Sequence, residues 1–213
     1  MKTPTLSDKL RQDSVVLEAT QDRTGAQAID CDHVARGDHR KGDLPLLPAM
    51  PITAETSPLY ASVQQFLAQQ AEVLDRKQWR AYIDMFSPEG IYWMPAHSEQ
   101  ASWVDEPSIF IEDRSLMEVR KGRLTHPNAW SQAPVWMTSH VVGSVVLERV
   151  EGAQVIVRSR FHATELRRDT MRHFVGTYRH QLSVVDSEIK ILLQRVDLVN
   201  GAAPFDYVIQ AWI

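Results

Sequence analysis

Three turn signals, Glu151-Gly152, Asp169-Thr170 and Asp186-Ser187, cut the last third of the chain into long stretches rich in Val. Val135 to Val150, the stretch through Val155 to Ala163, Met171 to Val185 and Ile189 to Val199 read as consecutive strands. Strands joined by such tight turns must run antiparallel. In the second of them Val155, Val157, Ser159, Phe161 and Ala163 share one face, while Ile156, Arg158, Arg160 and His162 share the other. The mostly polar second face predicts a sheet with one side on a core and one side towards solvent or a partner.

Upstream the pattern is helical. Ser57-Pro58 predicts a helix start, with Ser as cap and Pro in the first turn. Leu59, Val63, Phe66, Leu67 and Leu74 keep helical spacing. Asp75 with Gln78 predicts a second start, an acidic cap with Gln three residues on. Trp79, Tyr82, Ile83 and Phe86 mark its buried face, and Ser87-Pro-Glu-Gly90 ends it. Ile91-Tyr-Trp-Met94, closed by Pro95, predicts a short strand, and Asp113 to Leu124 a third helix with Leu116, Met117, Val119 and Leu124 as its apolar members. Helices first and a strand meander after them predict an α+β fold, with the helices on one face of a curved antiparallel sheet. The apolar end, Tyr207-Val-Ile-Gln-Ala-Trp-Ile213, is expected to be buried, because an exposed segment of that kind invites aggregation.

The division into domains follows composition. Residues 1–56 hold no aromatic side chain, and charged residues, Gln, Gly and Pro break up every apolar cluster. Such a stretch buries too little to fold alone and predicts a polar arm, ordered by contact through Leu44, Leu46 and Leu47. Residues 57–213 form the folded domain. A net charge of -4 gives no basic excess for nucleic acid or an anionic membrane. No apolar run is long enough to span a bilayer, and the start has no apolar stretch of the secretory kind, so a cytoplasmic location is expected. Cys31 is the only cysteine, which excludes an internal disulfide and leaves too few thiolates for an iron–sulfur site. Cys31-Asp-His33 matches half of a Rieske C-x-H motif, but the C-x-x-H half is absent.

From Leu59 onward the chain resembles the β (small) subunit of aromatic-ring-hydroxylating dioxygenases. The resemblance rests on Glu72-Val-Leu-Asp75 leading to Trp79, on Phe86 through Ile91-Tyr-Trp-Met-Pro95, and on Asp105-Glu-Pro-Ser108 followed by Glu112-Asp-Arg114. Arg123-Leu124, Ala129-Trp-Ser131, Thr138-Ser-His140, Val157-Arg-Ser159 and Phe174-Val-Gly176 continue the series in order. It implies a cystatin-like cone, a curved antiparallel sheet wrapped on N-terminal helices. It further implies a larger α subunit as partner, which carries a Rieske cluster and a mononuclear iron, and a trimer of αβ pairs. No cofactor, metal ligand or catalytic residue is expected in this chain, whose part is structural. Met137 stands where the family often has Arg, and the arm is longer than the family leads one to expect. His126-Pro-Asn-Ala-Trp-Ser-Gln132 leans towards members that act on aromatic acids.

A second reading makes the chain a stand-alone dehydratase or isomerase, or a small-molecule binder, since cone folds host such activities. Tyr82, Asp84, Asp105 and His140 would be its acid–base candidates, provided that they converge. Against this, Tyr82 lies on the apolar face of its helix and reads as core. For metal chemistry the nearest histidine pairs are His33/His39, in the arm, and His173/His180, which strand alternation puts on opposite faces. His162 and one of His173 and His180 are expected on the polar face, and the other as a hydrogen-bonded histidine inside. Trp79 and Trp93 read as core; Trp103, Trp130 and Trp136 either anchor an interface or fold back on the domain.

Overall fold

The computed structural model describes residues 47–213, apart from 105, 133–135, 200, 202–204 and 206–207. Cys31, His33, His39, Leu44, Leu46 and Tyr207 lie outside the described residues, as does Asp105. Helix α1 (Ser57–Asp75) and helix α2 (Trp79–Asp84) come first. Strands β1 (Phe86–Pro95) and β2 (Ser108–Asp113), helix α3 (Arg114–Leu124) and strands β3 (Met137–Glu151), β4 (Gln154–Arg167), β5 (Thr170–Val185) and β6 (Glu188–Leu198) follow. One six-stranded sheet has the order β2-β1-β6-β5-β4-β3. All neighbours are antiparallel except β1 and β6, which are parallel.

The meander follows from its turns. Arg168 and Asp169, and likewise Asp186 and Ser187, all have positive φ, the geometry of a two-residue hairpin whose twist matches its strands. Gly152, at φ 55°, plays the same part between β3 and β4. Register shifts interrupt β1, β3 and the β5/β6 pairing, and bulges of this kind bend a sheet. The sheet therefore curls, with Val155, Val157, Phe161, Phe174, Tyr178, Leu182, Ile191 and Val196 buried on its inner face against Val63, Phe66, Leu67, Tyr82 and Ile83 of the helices.

Several local expectations need correction. Ser57 is the first helical residue of α1, and the N-cap is Thr56, whose side chain caps nothing in the helix. Asp75 does not open α2; it ends α1, and Gln78 caps α2 without a side-chain bond. Ser87-Pro-Glu-Gly90 is no terminator but the bulged part of β1, between pairs Phe86↔Ile191 and Ile91↔Leu193. Strand β2 was not legible, because Ser108–Asp113 is short and runs straight into the cap of α3. Asp113, read as the first residue of that helix, is its N-cap and accepts a hydrogen bond from the Leu116 N–H. Of the apolar members of α3 only Met117 is fully buried, while Leu116 and Val119 face outward.

The edge strand β3 is dressed by groups from α1 and from the segment before it. Met50 N–H donates to the Leu147 carbonyl at 2.8 Å, the Tyr60 hydroxyl to the Val145 carbonyl at 3.3 Å, and the His140 N–H to Asp75 Oδ2 at 2.9 Å. Each occupies an edge group that would otherwise be open to another strand.

Candidate functional site

The mouth of the curled sheet is filled by the end of the chain. Ile209, Ala211, Trp212 and Ile213 are buried, as expected for this segment. Trp212 packs on Trp79 and Tyr82, at ring-centroid distances of 5.7 and 5.3 Å, and its indole N–H donates to Glu112 Oε2 at 2.9 Å. Glu112 also takes the half-buried Arg120 guanidinium, so the anchor of the segment is itself charge-paired. The Ile213 N–H lies 3.3 Å from the Tyr92 hydroxyl. What remains open at the mouth is about 20 Å³, bordered by Trp136, His140, Glu165, Phe174 and the terminal segment. That is room for about one water molecule and not for an aromatic ring.

The four acid–base candidates do not form one constellation among the described residues. The Tyr82 hydroxyl donates to Gln194 Oε1 at 2.9 Å, and burial pushes its phenol well above the ordinary value, so it stays neutral. Asp84 accepts from Arg80 and Arg114, each at 3.0 Å, on the rim of α2. Asp105 lies outside the described residues. His140 alone has an acid–base partner, and it is one that the sequence reading missed. Its Nδ1 lies 2.6 Å from Asp75 Oδ1, which also accepts from the Thr138 hydroxyl at 2.8 Å. Burial pushes the Asp75 carboxyl up, but the hydrogen bonds from the His140 ring and backbone outweigh it, and the pKa falls below the usual carboxylate value. Asp75 at a helix end looked like a cap for the next helix; its real partners are more than sixty residues away, and no local spacing announces them.

Behind the mouth lies a buried polar cluster. Gln194 Oε1 accepts from Gln70 as well as from Tyr82. Across the β5/β6 pairing Gln194 faces His180, and the His180 ring lies 5.6 Å from that of Tyr178. The alternation argument placed His173 and His180 on opposite faces, and they are: His173 is outside and exposed, His180 inside and fully buried. The expectation that the inner histidine is hydrogen-bonded fails, since neither ring nitrogen of His180 has a hydrogen-bond partner among the described residues. Burial alone pushes its pKa down to about 3, so the ring is neutral.

The outer face is divided. At one end Glu148, fully buried at its side chain, accepts from Arg158 at 2.8 Å and Arg179 at 3.0 Å. At the other end a row across the strands, Val141↔His162↔Val175, is exposed, and the Val199 N–H continues it by donating to the Val175 carbonyl. His162 Nε2 and His173 Nδ1 lie 3.0 Å apart within it. The loop tryptophans split. Trp136 is core, Trp103 folds back on Trp93 at 5.1 Å, and Trp130 is 87% exposed on a 3₁₀ turn, Trp130–Gln132.

No group of three or more His, Cys, Asp or Glu is placed to hold a metal among the described residues. The donor set does not fit an iron–sulfur cluster, which needs several thiolates where the chain has one. No helix of the described residues is long and apolar enough to cross a membrane.

Comparison with known proteins bears on the whole domain. The model of a family described as ring hydroxylating beta subunit matches residues 69–203. A 2-halobenzoate 1,2-dioxygenase small subunit from Burkholderia cepacia is 31% identical over 147 residues, 66% of this chain and 88% of that protein. A toluate 1,2-dioxygenase subunit beta from Pseudomonas putida is 28% identical over 156 residues, 71% of this chain and 93% of that protein. The crystal structure of a benzoate 1,2-dioxygenase beta subunit from Burkholderia mallei is 27% identical, with a TM-score of 0.58, covering 75% of this chain and 99% of that one.

Proposed function

The chain belongs to the ring-hydroxylating β-subunit family, and from this we propose that it is the small, structural subunit of an oxygenase that attacks aromatic acids. The observation that carries the proposal is the filled cone: the interior is occupied by the chain's own Trp212 and Ile213, where an enzyme of this fold would admit substrate. The partner is a larger α subunit that holds a Rieske cluster and a mononuclear iron, assembled as a trimer of αβ pairs in the cytoplasm. Residues 1–56 act as an arm laid on that assembly, and residues 57–213 as the cone.

The work of such a subunit is geometric. Electron transfer between a cluster in one α subunit and an iron in the next depends on how the two are held, and a rigid block at their base fixes that distance. A ring hydroxylation needs no reacting group from this chain. Support for an aromatic acid as substrate comes from the names of the relatives, which are dioxygenases of halobenzoate, toluate and benzoate.

Co-expression with the larger subunit tests the reading. The pair should co-purify at equal stoichiometry with a mass near three αβ pairs by light scattering, with all iron accounted for by the larger chain. A larger subunit that assembles and turns over at full rate without this chain would refute the structural role. A single αβ pair would refute the trimer alone. The dehydratase, isomerase and binder readings have the filled mouth against them, and tight binding of an aromatic acid by the isolated chain would restore them.

A further inference from the structure

We propose that His162 and His173 form a two-histidine site for a divalent transition ion, with Cu²⁺ and Ni²⁺ preferred over Zn²⁺, on the outer face of the sheet. The two residues sit on adjacent strands in diagonal positions: His162 pairs with Val175, and His173 with Thr164. Both are exposed, so an ion and its water can reach them. The strands beneath are long and paired over their whole length, so the rings are carried on a rigid platform.

Geometry selects the ion. His162 Nε2 and His173 Nδ1 are 3.0 Å apart, with ring centroids at 5.2 Å and planes inclined by 38°. With metal–nitrogen bonds of about 2.0–2.1 Å, nitrogens at that spacing subtend about 95° at the ion. This is the cis angle of a square or octahedral ion, whereas a tetrahedral ion needs the nitrogens further apart. The donor type points the same way. Imidazole suits the later first-row ions, and affinity rises towards copper. The rows that carry the two rings hold Ser139, Thr164, Val141 and Val175 and no carboxylate, so hard oxygen-seeking ions find nothing here. Arg160, the nearest cation along β4, is turned to the Thr177 hydroxyl at 2.8 Å. Without the ion one ring nitrogen hydrogen-bonds to the other at this spacing; with it, both nitrogens would bind the ion and water would complete the shell. The site is separate from the filled cone and lies on the open row of Val141 and Val175, and its test uses the chain without a partner.

The test is calorimetric titration of the full chain with Ni²⁺ and Cu²⁺ in a weakly competing buffer, beside His162→Gln and His173→Gln. The wild-type chain should bind one equivalent that both variants lose, their affinity falling about tenfold or more, because the second imidazole makes its bond intramolecularly. Zn²⁺ should bind that equivalent more weakly than Cu²⁺ does. Circular dichroism unchanged in both variants keeps the comparison clean, since exposed substitutions of this kind leave stability nearly untouched. Identical isotherms for all three proteins would overturn the site and leave the pair as a hydrogen bond only. Loss in one variant and not the other would overturn it too, because the ion would then be held by a different set, such as the histidines of the arm.

Discussion

The two faces of the same four strands, β3 to β6, have opposite fates. The inner face is closed: Phe161 stacks on Tyr178 at 4.1 Å, Trp212 lies over Tyr82, and even polar groups such as His180 and Gln194 are sealed from water. The outer face has an ionic end tied by Glu148 and an apolar end left open at Val141, Val175 and Val199. In this chain the interior serves stability and the exterior is what remains to meet something else. Glu148 shows how an outer position can be fixed: its carboxylate is held by two guanidiniums from β4 and β5, and this pins the register of the three strands at that end.

The contrast can be broken most forcibly from inside. Trp212→Ala removes a ring that touches Trp79 and Tyr82 and leaves Glu112 without its indole partner, so it should cost about 3–5 kcal/mol in urea unfolding. A loss of less than about 1 kcal/mol, the size of an ordinary point substitution, would mean that the terminal segment does not fill the mouth in solution. Asp75→Asn comes next. It removes the charge from a carboxylate that accepts from the His140 ring, the His140 backbone and Thr138, at an expected cost of about 2–3 kcal/mol at pH 7. Because the folded-state pKa of Asp75 is lowered, its contribution is present above the unfolded value of about 4 and lost as pH falls through the folded value. The difference between wild type and Asp75→Asn should therefore shrink in acid.

His180 gives a smaller effect with its own pH signature. Its folded pKa, about 3, lies below the unfolded 6.5, so below pH 6.5 the unfolded chain takes up a proton that the folded chain refuses. Stability from this group should fall by about 1.4 kcal/mol per pH unit, or about 2 kcal/mol by pH 5. His180→Phe should flatten that slope in chemical unfolding between pH 5 and 7, and an unchanged slope would show that the ring is not sealed. Least affected are the outer positions. Val175→Thr and Trp130→Ala should change the isolated chain by within about 0.5 kcal/mol, while Trp130→Ala weakens assembly with the larger subunit by about 2 kcal/mol or more if that exposed ring is an anchor. Equal effects in the isolated chain and in the complex would remove the distinction between the two faces.

Much of this was legible in the chain because the strands announce themselves locally. Val155, Val157, Phe161 and Ala163 alternate with a mostly polar set, Ile156, Arg158, Arg160 and His162, and the sheet buries those four. Asp186-Ser187 marks a turn that the positive φ values then explain. The helix of Asp113 to Leu124 was placed within one residue, although two of its four apolar members face outward. What failed was non-local. The bulge through Ser87-Pro-Glu-Gly90 keeps a strand going where Pro and Gly usually stop one, because Phe86 before it and Ile91 after it both pair with β6. Asp75 meets His140 only once α1 lies along the β3 edge. Ile189, Ile191 and Leu193 recur at strand spacing, but the register shift opposite Gln181 and Leu182 turns the strand, and it is Gln194 and Val196 that are buried after Ile191. Alternation put one of His173 and His180 inside; that the inner one is His180, and that it lacks a hydrogen-bond partner among the described residues, did not follow from it.

The central claim is that this chain serves catalysis without performing it. The most direct measurement is oxygen-dependent oxidation of benzoate by three preparations supplied with the same reductase: this chain alone, the larger subunit alone, and the two co-expressed. The account predicts turnover by the pair, none by this chain, and little or none by the larger subunit, with the loss in the latter accompanied by a smaller assembly in light scattering. Oxidation of benzoate by this chain alone, at a rate proportional to its concentration, would contradict the account.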